Sequence, residues 1–302
     1  MDNRTEVRDF LTSRRARVTP EQAGIPVYGG HRRVKGLRRE EVAMLAGVSV
    51  DYYVRMERGN LSGVSESILD AVARTLQLSE VEHAHFYDLA NTANSSGTRM
   101  ARPAVTHVRP ALQRILDSIA APAWVRNGKA DFLASNRLGR ALYAPIFIDP
   151  RRPGNTARFL FLDPRAADFY PDWPEMARGM VATLRAEAGR HPYDKGLTDL
   201  IGELATHSEP FRQLWASHEV LTHRNGTKRL RHPVVGDLEL TYEAMQLATD
   251  EGLTLLIYAA EPGSRSEEGL RLLNSWAPAE DDEGTEGPPF APAGESRTRR
   301  TT

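Results

Sequence analysis

The residues richest in chemistry lie between His31 and Arg55. Arg32, Arg33, Lys35, Arg38 and Arg39 crowd together with no acidic residue among them. Such a density of cations suits a polyanion, phosphate above all, although a basic run by itself also reads as a solvated loop. The helices next in the chain favour phosphate. Val50, Asp51, Tyr52 and Arg55 fall on the outward side of a short helix whose inward positions are Tyr53 and Met56. An arginine so placed can donate two hydrogen bonds to O6 and N7 of a guanine, and an aspartate can accept one from N4 of a cytosine. Arg38 and Arg39 stand at the start of the preceding helix, where free backbone N–H groups and the positive dipole end already favour a phosphate.

Other chemistries find little support. The chain has no cysteine, which removes disulfides, thiolate metal sites and cysteine nucleophiles. His191, His207, His218, His223 and His232 lack ligand spacing, and His83 and His85, two apart on a helix, face different sides. No G-x-S-x-G elbow, G-x-G-x-x-G or G-x-x-x-x-G-K-[ST] phosphate loop, or H-E-x-x-H pair occurs. Neither an enzyme, a metal nor a cofactor is expected. With 39 basic and 40 acidic residues the net charge is −1, so only the distribution of charge is informative: basic near residue 35, acidic from Glu280 to Glu286.

The basic segment needs a helical frame, and the first ninety residues supply one. Val7, Phe10, Leu11 and Arg14 form a helical stripe from about Thr5 to Arg17. Thr19-Pro20-Glu21-Gln22 resembles a capping box opening a short turn of helix that ends at Gly24. Val42, Leu45 and Ala46 mark the next helix, Gly47 its stop, and Ser49 the cap of the helix ending at Gly59. Glu57 is expected to pair with Arg14 and tie helices together. Ile68, Leu69, Val72 and Leu76 mark a further helix, and Ser79 with Glu82 caps the last.

The pattern lapses between Asn91 and Arg109. Domains are therefore expected at 1–92 and 109–276, with a linker over 93–108 and a disordered tail over 277–302. In the second domain a helix at Leu112 to Ile119 precedes a hairpin, Ala123–Arg126 and Ala130–Ala134 around Asn127-Gly128. Several helices come next in the chain. Val220–Arg224 and Thr227–Val235 read as a second hairpin around Asn225-Gly226, then come an alternating strand through Leu238, Leu240 and Tyr242 and a buried strand from Leu253 to Ala259. The order predicts an α+β domain with one antiparallel sheet and helices on one face.

The segment LRREEVAMLAGVSVDYYVRMERG, Leu37 to Gly59, resembles the helix-turn-helix of the XRE (Cro/repressor-like) group. Together with FLFLDPRAADFYPDW and RHPVVGDLELTYEA, it resembles more narrowly the MmyB-like transcriptional regulators of actinobacteria, over residues 5 to 276. The chain departs from the broad XRE pattern in its long connector, Val18 to Gly36, and in Arg38 at a capping position. The resemblance implies an N-terminal all-α helix-turn-helix bundle that reads double-stranded DNA and a C-terminal PAS-like domain. It implies that Asn136 organises the helix after the second strand. It also implies an apolar small ligand, such as a long-chain fatty acid, held between sheet and helices.

The aromatics Trp124, Phe132, Phe161, Trp215 and Tyr242 are the candidate lining of that pocket, with Arg158, Arg229 and Arg231 candidates for a carboxylate at its mouth. Each aromatic taken alone reads more readily as plain core. The rival reading is a constitutive DNA-binding protein whose second domain dimerises or recruits a partner; a homodimer is compatible with both readings. With no apolar run long enough for a membrane span and no export segment, a cytoplasmic protein without a membrane partner is expected.

Overall fold

A computed structural model describes residues 3–26, 34–94, 107–148, 154–217 and 225–276. Arg32, Arg33, His31, His218, His223, most of the expected linker, the expected strand Val220–Arg224 and the C-terminal tail lie outside the described residues.

The N-terminal region is helical: α1 (Asn3–Arg17), α2 (Arg39–Ala46), α3 (Val50–Glu57), α4 (Glu66–Thr75) and α5 (Glu80–Asn94). The α1 stripe of Val7, Phe10, Leu11 and Arg14 is buried throughout. It packs with Leu37, Val42, Tyr53, Met56, Val72, Phe86 and Leu89 into one core. The Ser79–Glu82 capping box forms as expected, with Ser79 N donating to Glu82 at 2.9 Å and Glu82 N to Ser79 Oγ at 3.3 Å. Two readings need correction. Thr19 and Gln22 bond reciprocally, but 19–24 is a turn rather than a helix, closed by Gly24 at φ 73°. On α2 the inward positions are Val42, Ala43 and Ala46, while Leu45 is 40% exposed.

The C-terminal domain comprises α6 (Pro110–Ser118), β1 (Ala123–Asn127), β2 (Phe132–Ser135), α7 (Arg137–Leu142), α8 (Thr156–Leu162), α9 (Ala166–Phe169), α10 (Trp173–Arg190), α11 (Lys195–His207), α12 (Glu209–Ala216), β3 (Asn225–His232), β4 (Gly236–Gln246), β5 (Leu253–Ala259) and α13 (Arg265–Trp276). The five strands form one antiparallel sheet in the order β2-β1-β5-β4-β3. Alternation assigns its two faces. Trp124, Leu256 and Tyr258 turn toward the helices α7 to α13, whereas Ala123, Val125, Leu253 and Leu255 turn the other way and are covered by Leu112 and Leu116 of α6.

The hairpin expected around Asn225-Gly226 is displaced. Both residues belong to β3, facing Glu243 and Tyr242 of β4, and the turn falls between His232 and Gly236. The long alternating run of β4 requires a partner that begins at Asn225. Asn136 caps α7: its Oδ1 accepts from Gly139 N at 2.7 Å and Ala123 N at 3.1 Å, and its Nδ2 donates to the carbonyls of Ile119 and Ala121. One side chain thus ties the loop before β1, β1 itself and α7 together.

Candidate nucleic-acid interface and ligand cavity

The turn between α2 and α3 rests on Gly47, which takes the left-handed conformation at φ 68° that a side chain would resist. Ser49 Oγ then accepts from Tyr52 N at 3.1 Å and starts α3. In that frame Tyr53 and Met56 are buried, while Val50, Asp51 and Arg55 are exposed and Tyr52 half-buried. The Arg55 guanidinium lies 4.8 Å from the centre of the Tyr52 ring, so the two side chains stand as one stacked unit. Arg38 needs no hydroxyl to cap α2, because Glu41 accepts its backbone N–H at 2.6 Å. The connector is fixed where it joins the helix. A Cβ on Gly36 would meet Arg15 O at 2.5 Å, and Leu37 N donates to the same carbonyl. Lys35, Arg38 and Arg39 are all exposed beside α2.

Glu57 does not pair with Arg14. Its carboxylate accepts from Arg15 at 2.8 and 3.1 Å, from Arg39 at 3.2 Å and from Thr12 Oγ1 at 3.1 Å. Arg14 turns to Glu82 on α5, at 2.9 Å. Neighbouring positions on α1 point about 100° apart, so Arg14, on the buried stripe, meets α5 while Arg15 meets α3. Burial pushes the Glu57 carboxyl upward, but the hydrogen bonds and charges of Arg15 and Arg39 outweigh it and leave it below the ordinary glutamate value. Arg39 therefore both braces the motif and presents charge at its surface.

In the second domain a cleft, open to solvent on one side, lies between the sheet and α8 and α10. Trp124 and Tyr242 line it, as do Leu160, Met176 and Met180. Phe132 stacks behind Trp124, with ring centres 4.3 Å apart, and Phe161 and Trp215 pack around Phe211 instead. The three candidate arginines are engaged elsewhere: Arg158 with Glu203 at 2.9 Å, Arg229 with Asp172 at 2.7 Å and Arg231 with Asp237 at 3.1 Å.

Two cations not foreseen do line the cleft. Arg126 of β1 is largely enclosed, and burial pushes its guanidinium below the ordinary arginine value. Among the described residues no side chain hydrogen-bonds to it or forms an ion pair with it. Lys228 of β3 lies 4.8 Å from the ring centre of Tyr242 and 5.3 Å from that of Tyr258, and donates to Tyr258 Oη at 3.3 Å. Tyr258 Oη in turn lies 2.7 Å from Tyr143 Oη. The cleft is thus largely aromatic and aliphatic along its walls, with Arg126 and Lys228 as its cations and Glu175, Thr156 and Thr183 also in its lining. Both cations were accessible to alternation, since Arg126 shares a strand face with Trp124, and Lys228 with the buried Leu230.

Among the described residues no three His, Cys, Asp or Glu side chains gather as a metal site needs, and no helix is long and apolar enough to cross a membrane. A family model described as the MmyB-like transcription regulator ligand binding domain matches residues 108–273, and one for a helix-turn-helix domain matches residues 6–86. No curated protein matches the chain.

Proposed function

The chain belongs to the MmyB-like transcription regulators, with a helix-turn-helix domain and a ligand-binding domain on one polypeptide, and from that premise we propose that it reads specific duplex sequences under the control of an apolar acid, fatty-acid-like in shape. Val50, Asp51, Tyr52 and Arg55 read base edges. Arg32, Arg33, Lys35, Arg38 and Arg39 hold phosphates, whose contacts set register rather than sequence. The acid lies along Trp124, Tyr242 and the methionines of α10, and its carboxylate meets Arg126 and Lys228 in place of the arginines expected from sequence. The observation that carries this reading is the partly buried guanidinium of Arg126, which lines an aromatic cleft with no side chain among the described residues hydrogen-bonded to it or ion-paired with it, because a cation so withdrawn from water gains from an arriving anion. Apolar burial of the chain adds about 25 cal/mol per Å² before association costs are subtracted. The protein acts in the cytoplasm, as a homodimer if its sites prove palindromic, and its output is DNA binding rather than turnover.

Two measurements test the reading. On a duplex selected from random sequence, Arg55→Ala is expected to cost about 1–3 kcal/mol and relax one base position, while Arg39→Ala weakens all duplexes alike and flattens the salt dependence. An unchanged Arg55→Ala affinity at fixed salt would overturn the assigned face of α3. Delipidated protein titrated with carboxylic acids of increasing chain length should melt at rising temperature and change its duplex affinity. A flat melting response favours the rival, a constitutive DNA binder whose second domain dimerises. A melting shift with constant duplex affinity keeps the pocket and removes the switch.

A further inference from the structure

Helix α10 has two working faces. Met176, Gly179, Met180 and Thr183 line the cleft. Ala182, Arg185 and Gly189, at i, i+3 and i+7, are buried on another side, where α10 meets α5 of the DNA-reading domain. The approach is close. A Cβ on Gly189 would lie 3.0 Å from the His85 ring, Thr92 Oγ1 donates to Gly189 O at 3.0 Å, and Arg190 lies 3.7 Å from Asp88.

At the centre of this junction Arg185, with 1% of its side chain exposed, donates to Glu6 of α1 at 2.6 Å. The guanidinium stacks on Trp215 at 4.4 Å and donates to the Trp215 carbonyl, while His85 Nε2 lies 3.9 Å from the Glu6 carboxylate. One partner comes from each domain. A buried pair of this kind adds little net stability compared with apolar packing, but separating its members leaves two dry charges. The junction is therefore closed or open, with little between, which is the behaviour a switch requires.

We propose that α10 is a shared wall: occupancy of the cleft on one side is transmitted through the Arg185–Glu6 pair to the orientation of the DNA-reading domain on the other. The closed junction uses α1 and α5 and leaves Val50, Asp51 and Arg55 exposed. It governs how the reading helix is aimed rather than whether it is covered. The coupling rests on the proposed ligand only for what fills the cleft; the junction itself can be tested without any ligand.

The experiment uses the full chain, dodecanoate as probe, a duplex selected from random sequence, and hydrogen exchange of α1 and α5 amides. In the unsubstituted protein dodecanoate is expected to change both the exchange and the duplex affinity, the latter by about fivefold or more. In Glu6→Gln and Arg185→Met the melting shift caused by dodecanoate persists while both responses disappear. Glu6→Gln nearly preserves shape and sits in the other domain, so it decides the matter if Arg185→Met fails to fold. Responses equal to those of the unsubstituted protein in Glu6→Gln would overturn the proposal.

A second arm replaces the ligand with a side chain. Met180→Trp fills the cleft from α10 and should alter α1 and α5 exchange, but not when combined with Glu6→Gln. If dodecanoate fails to bind, the fatty-acid reading falls and this arm alone judges the junction; unchanged α1 and α5 exchange in Met180→Trp would then refute the coupling.

Discussion

Glu57→Ala is expected to destabilise the DNA-reading domain by about 3–5 kcal/mol, because it strands Arg15 and Arg39 around a space where their shared carboxylate stood. That loss is a large share of the roughly 5–15 kcal/mol that holds a domain folded. Only 2% of the Glu57 side chain is exposed, so water cannot replace the missing charge without opening the core. The composition provides a clean readout. All four tryptophans, Trp124, Trp173, Trp215 and Trp276, lie in the C-terminal domain, so loss of far-ultraviolet helix signal ahead of the main fluorescence transition reports the N-terminal domain, with an early fluorescence change confined to Trp215, which stacks on Arg185 at the junction. An unfolding free energy from urea titration within about 1 kcal/mol of the unsubstituted protein would remove Glu57 as the keystone of the motif.

The same carboxylate sets an acid limit. Its folded-state ionisation lies below that of an unfolded glutamate, about 4.3, so the unfolded chain takes up the proton first. Its contribution is complete above that value and is lost as pH falls through the lower folded one. Glu57→Gln should remove this acid-dependent step while keeping the side chain's shape.

The second large effect concerns Arg126. Arg126→Leu is expected to weaken carboxylic acid binding by about 30-fold or more, the usual scale for truncating one member of an enclosed charged pair. Without ligand the same variant should be as stable as the parent or more so, since it removes a cation that burial disfavours. These opposite signs separate a binding arginine from a structural one. Equal losses of melting temperature with and without acid, at unchanged acid affinity, would make Arg126 part of the scaffold. Lys228→Met should reduce binding less, because the Lys228 ammonium keeps Tyr242, Tyr258 and the Tyr258 hydroxyl as partners when no anion is present.

Much of the N-terminal domain was legible because its determinants are local. The glycine turn, the Ser49 cap and the stripe on α1 each lie within one or two helical turns of sequence. Errors arose where one or two helical positions decided which way a side chain turned, as with Arg14 for Arg15 and Leu45 for Ala43. Strand alternation identified the sheet but misplaced the second hairpin, because Asn-Gly is a strong turn signal that the length of β4 overrode. In the cleft, alternation shows which face Arg126 occupies, but its burial, and the charges of Glu187 and Arg190 that act on it, come from elements remote in sequence. The junction was least accessible, since Glu6 and Arg185 are 179 positions apart and only the packed structure brings them together.

The strand order also has a consequence during synthesis. The centre of the sheet joins β1 to β5, pairing Ala123 with Ile257, so neither edge of the C-terminal sheet can be anchored until nearly all of that domain has left the ribosome. Translation at roughly 5–20 residues per second separates the emergence of α5 from that of β5 by about 10–30 s. The helical domain, built on short-range contacts, folds well within that interval. Each newly made chain therefore passes through a period in which the reading helix is formed, Glu6 still awaits Arg185, and the ligand-binding domain is incomplete. Nascent chains held at residue 200 should bind selected duplex without responding to any acid.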